Sequence, residues 1–274
     1  MLVVDAQVHI WPANTPEQPW PPLRKSHKNR PSFSKDELLR EMDAAGVTRA
    51  VLVPPSWQGD SNDLVLEAAR LHPDRFAVMG RLAVDRPENA VVVPTVKQAG
   101  MAGLRLTVSS GQLAGLDWLW SAAERADVPL MINARASVMS TVKAIAGKYP
   151  GLKLAIDHFG VEGGKKDDAA FAFMPQLLEG AACPNISVKV SALPCCSTEN
   201  YPYRGLHKYV KQVYDAYGPE RMFWGSDLSR LPCTYRQAVT VFTEEMPWLT
   251  TADKELIMGK AVCRWMGWKL PSEG

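Results

Sequence analysis

Long apolar runs, a strong net charge and a secretion signal are all missing from this sequence. No apolar stretch approaches the roughly 20 residues that a bilayer-spanning helix needs, and the amino terminus has neither a basic flank nor a small-residue cleavage site. The formal net charge is only +2 for 274 residues, which argues against nucleic acid or an acidic membrane surface as a partner. These absences predict a cytoplasmic protein with neither a membrane nor a nucleic-acid partner.

Cysteine is scarce, and its spacing fits no common metal or redox motif. The chain has five cysteines, an odd number. No two of them are separated by two residues, as they are in zinc ribbons and thioredoxin-like motifs. We therefore expect the adjacent residues Cys195 and Cys196 to be free thiols, as in a reducing compartment.

What the sequence does contain is a repeated alternation of apolar strand-like segments and helical segments. Hydrophobic residues make up 46% of the chain, enough for a large core. Short apolar runs predict strands at residues 1–11, 49–53, 76–79, 102–106, 128–132, 152–156, 185–190 and 221–224. Helical patterns predict helices at residues 34–46, 62–72, 87–98, 116–126, 137–149, 169–180, 205–217, 234–246 and 251–265. The first helix begins with a capping box formed by Ser34 and Glu37.

Eight strands that are each followed by a helix are typical of one (β/α)₈ barrel. We predict an α/β fold, a single TIM-barrel domain over residues 1–274 with long loops at its C-terminal face. The alternative is a doubly wound open sheet, which would want a glycine-rich turn after the first strand. Gln7-Val8-His9 supplies none. The two long loops, residues 12–32 and 193–203, are either lids or surface excursions.

Polar or aromatic side chains follow nearly every predicted strand. In this type of barrel the active site lies at the carboxyl ends of the strands, and side chains two residues apart on a strand point the same way. In chain order these residues are Gln7, His9, Ser56, Trp57, Arg81, Arg105, Thr107, Asn133, Arg135, Asp157, His158, Lys189, Ser191, Ser226, Asp227 and Arg230. Any one of them could be structural, but their recurrence at one end of the barrel favours an active site.

Three of these strand ends resemble signatures of the amidohydrolase superfamily. They are Asp5-Ala6-Gln7-Val8-His9, Ile156-Asp157-His158-Phe159-Gly160 and Trp224-Gly225-Ser226-Asp227. The resemblance is strongest to the branch that contains 2-pyrone-4,6-dicarboxylate lactonase, fuconolactonase and sulfomuconolactone hydrolase, and it covers essentially the whole chain. It implies a hydrolase that opens a lactone, a cyclic carboxylic ester.

The sequence departs from the family pattern at the positions that bind metal. The family usually has two histidines on strand one, and here Gln7 replaces the first. Asn133 stands where many members have a metal-binding histidine, and strand four offers no lysine to bridge two metals. If a metal is present, His9, His158 and Asp227 remain to hold one zinc ion, although glutamine is a poor zinc ligand. The branch includes metal-independent enzymes, so we expect no obligatory metal, with one divalent zinc ion as the alternative.

The same residues suggest a mechanism without a metal. Asp227 would act as a general base on water, and His9 and His158 would polarise the carbonyl and stabilise the oxyanion. Arg105, Arg135, Arg81 and Arg230 are candidates for binding a carboxylate or another anionic group on a small organic substrate.

Other strand-end residues are further candidates for substrate binding. Gln7 and Asn133 are polar candidates, and Trp57, with Trp20 and Tyr203, could wall an apolar pocket. Lys189 would either bind substrate or pair with a buried carboxylate inside the barrel.

Other functions are compatible with the same residues. A mononuclear zinc-dependent amidohydrolase or a decarboxylase would need the metal, and a lactone isomerase would use Asp227 to move protons without consuming water. A non-catalytic barrel that binds a small anion is the alternative from a different class. The tryptophans near the carboxyl terminus, Trp248, Trp265 and Trp268, either pack the last helix or form the interface of a homo-oligomer.

Overall fold

The computed structural model describes residues 1–17, 19–21 and 30–271, and it has the predicted barrel. Eight parallel strands follow one another around the barrel in chain order, so the predicted fold class is confirmed. The strands are β1 (Val4–Val8), β2 (Arg49–Leu52), β3 (Phe76–Gly80), β4 (Gly103–Thr107), β5 (Leu130–Asn133), β6 (Leu154–Ile156), β7 (Ile186–Ser191) and β8 (Met222–Gly225).

Helices lie between the strands and follow the last of them. They are α1 (Lys35–Ala45), α2 (Asp63–Leu71), α3 (Ser110–Leu113), α4 (Asp117–Arg125), α5 (Met139–Lys148), α6 (Asp167–Ala170), α7 (Met174–Glu179), α8 (His207–Tyr217), α9 (Tyr235–Thr243), α10 (Thr251–Glu255) and α11 (Ala261–Met266). The capping box at the start of α1 is present as predicted, with Ser34 and Glu37 bonded in both directions.

In two of the predicted helices a proline interrupts the pattern. Residues 87–98 form only short 3₁₀ turns, Pro87–Val91 and Val93–Thr95, since Pro94 removes a backbone donor and follows a run of β-branched valines. The predicted helix at 169–180 is divided into α6 and α7, with Pro175 in the first turn of α7.

The inside of the barrel changes character from one end to the other. A small apolar cluster that includes Val4, Val51, Met131 and Phe223 fills the end near α11. Towards the carboxyl ends of the strands, the buried side chains are instead charged or polar, with Lys189 among them. The barrel therefore presents a polar interior only at the end where the predicted site lies.

The seam between β8 and β1 is joined by a side chain as well as by the backbone. The buried carboxylate of Asp5 accepts hydrogen bonds from the backbone N–H of Gln7 (2.9 Å) and Ser226 (2.8 Å), from the Ser226 hydroxyl, and from the Tyr235 hydroxyl (2.6 Å). Burial raises the pKa of Asp5 to about 6, against the opposing effect of these hydrogen bonds.

The backbone contributes a further bond to the same seam. The Asp227 N–H donates to the Gln7 carbonyl at 3.0 Å. Gly225 permits this close approach, because a Cβ there would lie 3.1 Å from the Gln7 nitrogen. The seam therefore holds the carboxyl ends of β1 and β8 side by side, which brings the residues after these strands together.

The carboxyl-terminal tryptophans pack within the chain. Trp248 lies 5.4 Å from Tyr214, Trp265 lies 5.4 Å from Phe223, and Arg49 stacks over Trp268 at 4.7 Å. The packing alternative is therefore the one that the structure contains.

Two smaller predictions can be compared with the structure. All five cysteines are described, and each is a free thiol. Within the described ranges, no helix has the length and apolar character needed to cross a membrane. Residues 18 and 22–29 of the first long loop lie outside the described residues.

Candidate active site

The backbone bends sharply where β6 and β8 end, and these bends orient two of the predicted catalytic side chains. His158 follows β6 with a φ of 51°, and Asp227 follows β8 with a φ of 53°. A left-handed conformation costs a residue other than glycine about 1–2 kcal/mol. Such strain is concentrated at functional sites when the surrounding structure maintains it. The two bends turn both side chains into the mouth of the barrel.

Asp227 is buried among positively charged and imidazole groups. Its side chain is 1% exposed, its Oδ1 lies 3.5 Å from His9 Nε2, and its Oδ2 accepts from Arg230 at 3.2 Å. Within the described residues, Oδ1 accepts no hydrogen bond. Burial alone would raise the pKa of Asp227, but the charges of His158, His9 and Arg230 hold it below its ordinary value. The lowered pKa favours the ionised form of Asp227, whose Oδ1 accepts no hydrogen bond from the described residues.

His9 is oriented by a backbone carbonyl. Its Nδ1 lies 2.6 Å from the Val53 oxygen. A carbonyl only accepts, so Nδ1 carries the proton, and the neutral ring has none on Nε2. The neutral ring in this tautomer has no hydrogen to offer a substrate carbonyl through Nε2, so this geometry does not favour the role predicted for His9 from the sequence, which stays a prediction.

His158 has the opposite arrangement. Its Nδ1 lies 2.8 Å from the hydroxyl of Ser191, at the end of β7. A serine hydroxyl can donate to Nδ1 and leave the proton of the neutral ring on Nε2. Burial lowers the pKa of His158 to about 4, although the charge of Asp227 opposes this shift. His158 is therefore neutral at neutral pH.

A chain of buried polar contacts crosses the barrel behind these residues. Asp157 Oδ2 accepts a hydrogen bond from Arg105 Nε at 2.9 Å, and Asp157 Oδ1 lies 3.0 Å from the ammonium nitrogen of Lys189. Lys189 in turn donates to the Gln7 side-chain oxygen, and the Gln7 amide nitrogen lies 3.1 Å from His9 Nε2. Burial would raise the pKa of Asp157, but Lys189 and Arg105 hold it well below its usual range.

These contacts decide between two expectations for Lys189 and Arg105. Lys189 is fully buried against Asp157 and Gln7, so it forms the buried pair, and it does not face a substrate. Arg105 is 5% exposed and is bonded to Asp157 and Thr107, so its guanidinium is already occupied. Gln7 is also fully buried. These three side chains support the site from behind.

The cavity at the mouth contains only some of the predicted residues. It has a volume of about 530 Å³, and Asn133, Arg135, His158 and Arg230 form part of its wall. Arg135 pairs with Glu162 at 3.1 Å. In the described part of the chain, Asp227 and His9 are not on the wall. They lie directly behind Arg230, which contacts both the cavity and the Asp227 carboxylate.

Arg81 and Trp57 lie elsewhere at this end of the barrel. Arg81 donates to the Gly59 carbonyl at 2.7 Å and lies 3.4 Å from the Thr107 hydroxyl. Trp57 packs edge-on against Trp20, with ring centroids 6.0 Å apart, in a separate pocket of about 250 Å³. The structure does not bring these two residues to the wall of the larger cavity.

The described residues show how the conditional zinc ligands are placed. Over residues 1–17, 19–21 and 30–271, no three His, Cys, Asp or Glu side chains are gathered around one point. His9 Nε2 faces the Gln7 amide, Asp227 Oδ2 faces Arg230, and His158 Nδ1 faces Ser191. In the set His9, His158 and Asp227, named from the sequence as conditional zinc ligands, one atom of each residue thus contacts a protein group, whereas His158 Nε2 and Asp227 Oδ1 are not part of these contacts.

Sequence reasoning gave no role to several residues that complete the site. Asp157 binds both buried cations, Ser191 orients His158, and Thr107 lies between the two arginines. The two-residue spacing from Arg105 to Thr107 and from Lys189 to Ser191 was a usable signal, because such pairs point the same way on a strand. Asp5 carried the same signal, since it lies two residues before Gln7 on β1.

Comparisons with known proteins found a matching family and similar chains. The model of a family described as amidohydrolase matches residues 4–270. L-fucono-1,5-lactonase of Burkholderia ambifaria is 27% identical over 247 residues, which is 83% of this chain and 81% of the relative. The 4-sulfomuconolactone hydrolase of Hydrogenophaga intermedia is 24% identical over 244 residues, 81% of this chain and 73% of the relative.

The fold is also found among solved structures. An amidohydrolase from Burkholderia multivorans with bound zinc superposes with a TM-score of 0.80 at 20% identity, covering 99% of this chain and 100% of the other. At this level of identity the comparison shows the shared fold.

The buried imidazole of His158 predicts an acid-sensitive fold. Because its pKa is lowered from 6.5 to about 4, the unfolded chain takes up a proton between these values that the folded chain does not. Stability should therefore fall as the pH decreases through this window, by at most about 3 kcal/mol. Urea unfolding at several pH values would measure this, and His158→Gln should flatten the profile. Parallel profiles for the two proteins would contradict the assignment.

Proposed function

This chain belongs to the amidohydrolase family, and from that premise we propose that it is an enzyme that hydrolyses the ester bond of a small lactone. The family match confirms the resemblance drawn from the three strand-end motifs. Two relatives named as a lactonase and a lactone hydrolase support a lactone as the substrate. The observation on which the proposal chiefly rests is the buried carboxylate of Asp227, with one oxygen left unpaired at the mouth of the barrel.

Asp227 is the proposed general base. Burial opposes ionisation, but the positive charge of Arg230 helps to keep the pKa of Asp227 below its ordinary value, so the carboxylate is ionised at neutral pH and can accept a proton from water at Oδ1. The resulting hydroxide attacks the lactone carbonyl, and the proton then passes from Asp227 to the ring oxygen as the carbon–oxygen bond breaks. The products are a hydroxy acid and, at neutral pH, one released proton.

His158 is the proposed oxyanion donor. Ser191 occupies its Nδ1, which leaves the Nε2 proton of the neutral ring for the cavity that the residue lines. A preorganised donor of this kind stabilises the charge that develops on the carbonyl oxygen. A lactone suits a site with a single such donor, because its alkoxide leaving group departs more readily than an amide nitrogen does.

Arg135 and Arg230 are the proposed anion-binding residues. Both line the cavity, whereas Arg105 is engaged by Asp157, and Arg81 is held by the Gly59 carbonyl. A guanidinium matches a carboxylate in two parallel hydrogen bonds. The cavity of about 530 Å³ accommodates a small ring with one or two anionic groups, and Asn133 adds a polar contact on the same wall.

Replacing the proposed base tests the reaction directly. Asp227→Asn keeps the size of the side chain but removes its basicity, so lactone turnover should fall by about 10²–10⁴-fold. A pH-stat assay measures this, because hydrolysis releases acid whereas isomerisation does not. Asp215→Asn, an exposed carboxylate on α8, is the matched control and should retain full activity. A folded Asp227→Asn variant with normal turnover would exclude Asp227 as the base.

Removing metal tests whether the reaction depends on the protein alone. Since no three metal-binding side chains are gathered around one point in the described residues, and the Gln7 amide faces His9 Nε2, we expect chelator-treated protein to retain its turnover within about twofold. Elemental analysis of protein purified without chelator should find well below one metal ion per chain. Stoichiometric zinc, together with activity that is lost on chelation and restored by zinc, would contradict this prediction.

Removing one guanidinium tests the proposed substrate charge. Arg135→Gln should raise KM for a carboxylated lactone by about ten- to a hundredfold, because a hydrogen bond to a charged group contributes about 1.5–3 kcal/mol. KM for an uncharged lactone should not change. Arg125→Gln, at an exposed position on α4, serves as the control. An equal change for both lactones would show that Arg135 does not bind the anionic group.

A further inference from the structure

We propose that Lys189 is a positioning residue that acts through the amide of Gln7. In this proposal Lys189 fixes the amide orientation, the amide fixes the tautomer of His9, and the tautomer prevents His9 from donating to the carboxylate of Asp227. The functional consequence rests on the proposed role of Asp227 as the base, but the tautomer itself does not.

Lys189 determines which way the Gln7 amide faces. Its side chain is fully buried, and the ammonium lies 3.0 Å from Asp157 Oδ1 and 3.4 Å from the Met131 sulfur. It also contacts the Gln7 side chain. An ammonium has only hydrogens to offer, so the amide must turn its oxygen towards Lys189. A reversed amide would place its NH₂ against the ammonium in a site from which water is excluded.

The orientation of Gln7 then determines what His9 can do. The amide NH₂ lies 3.1 Å from His9 Nε2, and an NH₂ group only donates. His9 Nε2 must therefore accept, which means that it carries no proton. Through the amide, Lys189 on β7 thus determines which nitrogen of His9, the residue after β1, carries the proton.

A second contact reaches the same conclusion independently. The Val53 carbonyl lies 2.6 Å from His9 Nδ1 and requires the proton on that nitrogen. The two anchors, one at each ring nitrogen, therefore agree on a single neutral tautomer. Reversing the tautomer would set two acceptors against each other at Val53 and two donors against each other at Gln7.

The consequence falls on Asp227. His9 Nε2 lies 3.5 Å from Asp227 Oδ1, close enough for a protonated ring to pair with that oxygen. Without a proton on Nε2, the ring has nothing to donate there, and the lone pairs of Oδ1 remain available for water. Lys189 and Gln7 thus maintain the basicity of Asp227 without contacting the substrate.

Gln7→Glu is the test that keeps the shape of the side chain and changes its hydrogen-bonding capacity and its charge. The variant is isosteric, and its carboxylate keeps a strong partner for Lys189. Its second oxygen can only accept, so it demands a proton on His9 Nε2. In ¹⁵N-histidine NMR spectra of the full chain, the His9 Nε2 signal should move from the unprotonated to the protonated region, with His9→Asn providing the assignment. The same variant should lose at least about tenfold in kcat with little change in KM.

Two further variants control for charge and for stability. Gln98→Glu introduces the same charge at an exposed position before β4 and should change neither the spectrum nor kcat. Lys189→Met removes the ammonium and leaves Asp157 paired with Arg105. If it folds, His9 should give signals of both tautomers, and kcat should fall. If it does not fold, Gln7→Glu decides the question alone.

The outcomes separate this proposal from the proposed function. A wild-type protein whose His9 Nε2 carries a proton would overturn the proposal, whatever lactone it hydrolyses. A folded Gln7→Glu variant with an unprotonated Nε2 and unchanged kcat would also overturn it. An unprotonated Nε2 in a wild-type protein that hydrolyses no lactone would instead refute the function and leave the tautomer assignment standing.

Discussion

The ion pair between Lys189 and Asp157 is the constraint on which the polar half of the barrel depends. Both side chains are withdrawn from water, and each buried ion costs several kcal/mol of desolvation that only close partners offset. Asp157 meets this requirement with Arg105 on its other oxygen, and Lys189 meets it with Gln7. The buried side chains at this end therefore form a chain of hydrogen bonds, in which each group determines whether its neighbour must donate or accept.

The same order connects the closure of the barrel to its site. Asp5 gathers four donors at the seam between β8 and β1, and the Asp227 N–H bonds to the Gln7 carbonyl one step further along. Gln7 therefore belongs to both systems: its backbone joins the seam, and its side chain joins the buried ions. A single residue of β1 couples the position of Asp227 to the orientation of His9.

The sequence predicted the barrel because apolar periodicity is local. It led to the proposal that His9, His158 and Asp227 share one site because the strand ends of a barrel share one rim. The helix predicted at residues 87–98 was wrong, because the helical pattern there contained Pro94. The sequence also assigned Arg105 and Gln7 to the substrate, although buried partners occupy both. These partners come from other strands, and the direction of a hydrogen bond depends on such distant neighbours. The role of His9 could therefore not be read from the residue type alone.

The seam gives the barrel an uneven resistance to opening. Where neighbouring strands elsewhere share a ladder of backbone bonds, β8 and β1 rely largely on one carboxylate and the groups that it gathers. Local fluctuations start where backbone pairing is sparse, and at this junction they would separate the ends of the first and last strands. The geometry of the proposed site would then be lost while the remaining strands stay paired. Heating would therefore abolish the activity at a lower temperature than the one that unfolds the barrel.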